Sequence, residues 1–414
     1  MASKAKVRFY VFLVVFIAIL IAGGLIYGFQ HFRESQKEPS AHETDLNPAP
    51  QPEPEPVHIT IAATGDILIH NTVYFAAYDP KTNTYDFRDQ FQHVRASLSE
   101  ADLTIANLET TLGGPAQGYS GYPQFNTPDS IIEALKESGV DVLTAANNHR
   151  LDQGVPGFYR TINVVREKGL DIVGVKNEET EKTYVLKTIK GVKVAILNFG
   201  YGYPLENGSI DINGLILPAS MSSLMDTFNP LDFQSSVQKI TAKITKAKEE
   251  GAEIIVLCLH WGDEYHRQPN DFQQKLASEL VNAGVHVIFG GHPHVLQPVE
   301  YIKNPQGLKV PVFYSLGNFI SDQRQETVNN IYTEQGMIAK VTLEIKKGES
   351  PQVIAADGEP TWVNKKIING KFFYEVIPVR EALSSPDSFS LLNQADFERI
   401  NFCQDTVKTL TKGL

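Results

Sequence analysis

Gly290-Gly291-His292-Pro293-His294-Val295 is the stretch from which the rest of the chain is best read. An apolar run from Val285 to Phe289, interrupted by His286, leads into it. Such a run reads as a buried strand. The paired glycines allow a tight turn and a close approach of backbone. Two imidazoles follow, one residue apart, where strand gives way to loop, and neutral imidazole is the commonest metal-ligating side chain. Taken alone, His-x-His reads as readily as a packed polar corner. Its weight comes from recurrence.

Five further apolar runs end in the same way. Ile59 to Thr64 runs into Gly65-Asp66, Leu103 to Ala106 into Asn107-Leu108-Glu109, and Val140 to Ala146 into Asn147-Asn148-His149. Ile254 to Leu259 runs into His260-Trp261-Gly262, and Phe313 to Leu316 into Gly317-Asn318-Phe319. Each run sets a metal-capable or hydrogen-bonding side chain just past the carboxyl end of a predicted strand. In open α/β sheets that edge is where ligands bind.

Residues 9–29 carry no charge and match the roughly 20 residues a helix needs to cross a bilayer. Lys4, Lys6 and Arg8 precede them, so the positive-inside rule puts residues 1–8 in the cytoplasm and the rest outside. A cleaved signal would have a shorter apolar core and a small-x-small site; Ala22-Gly23-Gly24 is a poor match, and a retained anchor is expected. Residues 34–56, with Pro52, Pro54 and Pro56 alternating, read as a solvated, semi-extended spacer. The formal charge of −11 speaks against a nucleic-acid partner, whose phosphates demand a basic surface. Cys258 and Cys403 read as lone thiols rather than a disulfide framework.

From residue 57 strand-like and helix-like runs alternate, with helices expected at 91–101, 129–138, 155–168, 233–250 and 271–283. This βα alternation implies a largely parallel sheet covered by helices. Residues 183–189 and 192–198, joined by Lys190-Gly191, read as a hairpin. Residues 200–230 have no clear period and read as a flap near the site. Residues 337–345 and 371–379 read as strands of an added antiparallel layer. The expected organisation is thus a main domain at 57–320, a β-rich extension at 321–380 and a partly helical peripheral tail at 381–414.

The candidate ligands are Asp66, Glu109, Asn148, His260, His292 and His294. A mixture of carboxylate, amide and imidazole suits one or two divalent ions such as Zn, Mn or Fe. A carboxylate such as Glu109 can bridge two ions, and two ions roughly 4 Å apart clamp a phosphoryl group. The alternative is that Asp66 and Glu109 cap helices, Asn148 orders a turn and the histidines fill polar corners.

Gly65-Asp66, Asn107-Leu108-Glu109, Asn147-Asn148-His149 with Asp152 and Gly154, His260-Trp261-Gly262, Gly291-His292-Pro293-His294 and Ser315-Leu316-Gly317-Asn318-Phe319 together resemble the CapA family of poly-γ-glutamate capsule synthesis proteins. That family is similar to calcineurin-like metallophosphoesterases. The resemblance covers about residues 59–320 and implies a metallophosphoesterase-type αββα sandwich. It also implies a membrane-anchored role in making or exporting an extracellular polymer. Carried over, Asp66 ligates a first ion, Glu109 bridges, Asn148, His260 and His292 hold a second, and His294 returns to the first. His149 is then the proton donor. Beside the resemblance, Asp152 reads as orienting His149 or as capping the helix that starts near Pro156, Asn318 as a substrate contact through its amide or as a turn residue, and Trp261 as packing more readily than as a substrate contact. Two departures bear on the first ion: Leu68 stands where the phosphoesterase pattern has an imidazole, and Glu109 replaces an aspartate. His70, two residues on, reads as a surface or loop histidine.

Two functions follow. One is a metal-dependent hydrolase acting on a phosphoester or an anionic, amide-linked polymer. The other is a non-catalytic binding component of a polymer synthesis and export machine. No Gly-x-x-x-x-Gly-Lys-Ser/Thr stretch is present, so activation of glutamate is assigned to membrane-bound polyglutamate synthase and export partners.

Overall fold

Seven consecutive residues, Ile254 to His260, form a strand in which every side chain is buried. The run is continuously apolar because both faces of its sheet are covered. Ile254, Val256 and Cys258 face one core, while Leu257 and Leu259 face another. That period of two is the strand's own. The first core lies between two sheets and the second lies under helices, so this one strand already defines a layered sandwich.

The structure, a computed structural model, describes residues 3–35 and 55–413. Most of the expected spacer at 34–56 lies outside the described residues. One sheet has eight strands and the other seven. In the first, Val57–Ile67, Leu103–Leu108, Val142–Thr144 and Asp171–Val173 run parallel in that spatial order. In the second, Val192–Tyr201, Ile254–His260, Val287–Gly291 and Lys309–Phe313 run parallel. The inner faces meet through Ile61, Ile105, Val194, Val256 and Val287. Helices Ser130–Glu137 and Gly154–Glu167 cover the outer face of the first sheet, and Phe233–Glu249 and Asp271–Asn282 that of the second. This is the αββα sandwich expected. Fully burying one such aliphatic side chain contributes about 1.5–3 kcal/mol relative to exposure, so these apolar cores can hold the domain without disulfides; both cysteines are free and buried.

Helix starts follow the sequence. Asn270 and Gln273 form a capping box ahead of Asp271–Asn282, and the Asp232 carboxylate accepts from the Ser235 amide at 3.1 Å ahead of Phe233–Glu249. The hairpin is present as Val185–Ile189 against Val192–Tyr201.

Three expectations need correction. The carboxyl-terminal strands are antiparallel and part of the same domain, as expected, but they add no layer: Gln335–Ile345 pairs with Val57–Ile67, and Gln352–Ile368 and Lys371–Pro378 extend the same sheet. Strand Gln352–Ile368 was not legible, because Gly358 and Pro360 interrupt it and its burial does not alternate cleanly. The 200–230 region is a small three-stranded sheet of Tyr203–Pro204, Ile210–Ile212 and Leu215–Leu217, whose Ile210, Ile212 and Leu217 are buried. Strands of two or three residues are too short to show a period. Helix Gln394–Leu410 buries Ile400, Cys403 and Val407, and Arg399 pairs with the buried Glu334 at 2.7 Å, so the 381–414 segment is packed on the body rather than peripheral.

The amino-terminal unit is a separate helix, Ser3–Ser35. Its residues Lys6–Ser35 are long and apolar enough to cross a membrane, with mean hydropathy 2.9 over the most apolar window.

Candidate metal centre

The carboxyl ends of the parallel strands of both sheets converge on one polar pocket. Asp66 stands at the end of Val57–Ile67, Glu109 just past Leu103–Leu108, His260 at the end of Ile254–His260, and His292 and His294 just past Val287–Gly291. All five are buried. Gly291 has no side chain because a Cβ there would sit 2.5 Å from Asp66 Oδ1. The next amide, that of His292, donates to Asp66 Oδ2 at 3.1 Å. His292 and His294 both adopt positive φ, 98° and 56°, a conformation rare outside glycine. Such outliers concentrate at functional sites.

Two ligand clusters share one carboxylate. Ligand atoms of Glu109, His260 and His292 lie within 4.8 Å of one another, as do those of Asp66, Glu109 and His294. Glu109 Oε1 is 3.5 Å from His260 Nε2 and 3.7 Å from His294 Nε2. Asn148 Oδ1 meets His260 Nε2 at 2.7 Å. A third grouping adds Glu264, which sequence reasoning had passed over, to His292 and His294.

The donor chemistry fits divalent cations. Buried polar groups are normally paired, yet His292 Nδ1 has no partner among the described residues, and Glu109 Oε1 and His294 Nδ1 make no hydrogen bond there, only close contacts within the cluster such as His294 Nδ1 to Asp66 Oδ2 at 3.2 Å. Burial pushes His260 well below its usual pKa and His292 down to about 3, so both imidazoles are neutral and ligand-ready near neutrality. Burial, with Asp66 beside it, raises Glu109 well above the usual carboxyl range. A cation between the two carboxylates would reverse that cost.

His149 is set beside this pocket. Its Nδ1 is 2.8 Å from Asp152 Oδ2, which also accepts the Phe125 amide at 2.7 Å. The ring packs edge-on against Phe125. Nε2 has no hydrogen-bond partner among the described residues and is the nitrogen left to exchange a proton.

The remaining expectations divide. Asn318 lies in register with Asp66 on the adjacent strand, but its amide nitrogen donates to Gln323 Oε1 and the Thr333 carbonyl. Trp261 is fully buried, and its indole N–H donates to the Tyr314 carbonyl at 2.9 Å; it is a packing residue rather than a substrate contact. His70 is the loop residue expected, just ahead of helix Asn71–Ala77, but it is half-buried rather than free at the surface: burial lowers it to about 4, and its Nδ1 accepts the Asp322 amide at 3.2 Å. Leu68 is buried and offers no ligand. Asn107 has a role that its motif does not announce. Its amide donates to Asp66 Oδ1 at 2.7 Å and to Glu109 Oε2 at 3.3 Å, so it fixes both carboxylates; the Asn-Leu-Glu spacing alone gave no sign of this.

Two clefts open beside the pocket. One, of about 490 Å³, is bordered by His70, Tyr122, Tyr265 and Asp322. The other, of about 560 Å³, is bordered by Tyr201, Asp211, Glu264 and His292. Neither has Lys or Arg in its lining.

Fold and site together define a two-sheet α/β sandwich with a candidate centre for divalent metal at its carboxyl edge. The chain belongs to the family described as bacterial capsule synthesis protein PGA_cap, which matches residues 60–323. It is 32% identical over 280 residues to the capsule biosynthesis protein CapA of Bacillus anthracis, covering 66% of this chain and 62% of that protein. It is likewise 32% identical over 245 residues to the PGA biosynthesis protein CapA of Bacillus subtilis (strain 168), covering 56% of this chain and 57% of that protein. The match therefore spans less than two thirds of either relative. Among solved structures it is similar to the calcineurin-like phosphoesterase YfkN from Bacillus subtilis, with 22% identity, a TM-score of 0.40, and coverage of 74% of this chain and 91% of that one.

Proposed function

We propose that this chain is a membrane-anchored, metal-dependent hydrolase that acts outside the membrane in making or exporting an extracellular poly-γ-glutamate polymer. The observation that carries the catalytic part is the convergence of two buried ligand clusters on Glu109, with unpaired donor atoms, beside the His149–Asp152 pair. The polymer part is supported by family membership and by relatives named for capsule and PGA biosynthesis. Its partners are membrane-bound polyglutamate synthase and export components.

Asp66, Glu109 and His294 would hold one ion, and Glu109, Asn148, His260 and His292 the other. Bound ions would polarise a phosphoryl or acyl oxygen and supply hydroxide at neutral pH. In hydrolysis the hydroxyl joins phosphorus or the acyl carbon, and the bond to the leaving oxygen or nitrogen breaks. His149 Nε2 gives the leaving atom its proton, and Asp152 holds the ring in place from Nδ1. With no Lys or Arg lining either cleft, the charge complementary to an anionic substrate would have to come from ions held by these ligands.

The test is turnover. The full chain in detergent, loaded with Mn²⁺, is expected to cleave a nitrophenyl phosphodiester or poly-γ-glutamate, and a chelator should abolish this. A metal-loaded chain inert toward both would sink the hydrolase. Buried Leu68, in place of an imidazole, favours the second reading, a non-catalytic binding component. That reading is the one left standing if the chain is inert while cells carrying His149→Ala still make polymer.

Orientation has its own test. Protease added to intact cells is expected to cut within 34–56 and release a soluble fragment. Complete protection, in cells where a known outer-surface protein is digested, would count against an external domain.

A further inference from the structure

We infer that Glu264 is a metal ligand, supplying the donor that Leu68 cannot. The inference rests on the metal reading proposed above and assigns a residue to it.

The cluster of Asp66, Glu109 and His294 is one protein group short of the pattern that has an imidazole two residues after its aspartate. Leu68 fills that position with hydrocarbon, fully inside the core. Glu264 comes from a different element, the turn that follows His260-Trp261-Gly262. Its carboxylate oxygen and the ring nitrogens of His292 and His294 lie within 4.8 Å of one another. Those imidazoles are 5% and 1% exposed; His292 Nδ1 lacks a hydrogen-bond partner among the described residues, while His294 Nδ1 stands 3.2 Å from Asp66 Oδ2. Buried imidazole nitrogens gathered within reach of a carboxylate are what a cation would join.

The turn is built to keep Glu264 there. Gly262 takes φ +89°, and a Cβ on it would fall 2.6 Å from Gln273 Oε1. Gln273 donates to Gln297 Oε1 at 3.0 Å, and Gln297 donates to the His266 carbonyl at 2.8 Å. The Tyr265 amide donates to the Pro293 carbonyl at 2.8 Å, with Tyr265 itself at φ 65°. The residue after Glu264 is thus bonded directly to the turn between the two histidines. Neighbouring Asp263 is used by the fold, accepting from Asn270 Nδ2 at 2.8 Å. The Glu264 carboxylate makes no hydrogen bond or ion pair among the described residues, although it faces the cleft beside His292. Glu264 itself is exposed, and this strained, doubly anchored turn brings its unpaired carboxylate to the two buried imidazoles, the placement a ligand requires.

The experiment titrates the full chain in detergent with Mn²⁺ and follows both stoichiometry and the electron paramagnetic resonance spectrum. Wild type is expected to take two ions and give a spin-coupled signal. Glu264→Gln, which removes charge but keeps shape, should weaken one of the two ions by at least about tenfold and lose the coupling. Asp263→Asn should leave both ions in place. Wild-type stoichiometry, affinity and coupling in Glu264→Gln would overturn the assignment, as would an equal loss in Asp263→Asn, which would reduce the effect to local charge. A wild-type chain that binds no Mn²⁺ would overturn the metal reading itself, so the two failures are distinct.

Discussion

His149→Ala is expected to lower turnover about 10²–10⁴-fold, the usual contribution of a positioned acid, while leaving metal content unchanged. The geometry separates the two properties. Asn148 and His149 are adjacent, yet Asn148 Oδ1 turns to His260 while His149 Nδ1 turns to Asp152. His149 therefore belongs to neither ligand cluster. A leaving alkoxide or amide anion departs poorly at neutral pH without a proton, and on the reading proposed above His149 Nε2 would supply it. The loss should shrink for substrates with good leaving groups such as nitrophenyl esters, because these need no proton. Asp152→Asn should fall in the same direction by less, since the ring remains but its support weakens. Loss of metal in His149→Ala would recast the residue as a ligand, and an equal loss on good and poor leaving groups would remove the acid role.

Glu109→Gln is expected to abolish binding of both ions and with it all metal-dependent turnover. Glu109 is the residue common to both clusters, and its Oε1 lies between His260 and His294. The amide keeps the volume, so the fold should persist. The metal-free variant should be no less stable than metal-free wild type, because burial and the nearby Asp66 already disfavour the charged carboxylate. The difference appears with metal present. Ligand at one hundred times its dissociation constant stabilises a native state by about 2.7 kcal/mol, so wild type should melt several degrees higher with Mn²⁺ and Glu109→Gln should not respond. Retention of one tightly bound ion in the variant would show that the clusters do not share this carboxylate.

Much of the candidate site could be read in advance, for a physical reason. In parallel strands all carboxyl ends point the same way, so residues just past separate apolar runs share one edge whatever the strand order. Asp66, Glu109, Asn148, His260, His292 and His294 were therefore placed together by local sequence, as was the His149–Asp152 pair, three residues apart in one turn. The covered faces of Ile254–His260 and the charge-free stretch at 9–29 are equally local signals. What the chain could not reveal depends on pairing between distant segments. Only the folded structure divides the strands between two sheets and adds Gln335–Ile345 to the edge of Val57–Ile67. It also turns Trp261 inward onto Tyr314 while the next turn carries Glu264 outward over His292 and His294. Neighbours in sequence were sent to opposite environments there by Gly262 and by one hydrogen bond from Tyr265 to Pro293. Side-chain direction at a turn is set by long-range contacts of this kind, and no run or spacing in the sequence encodes them.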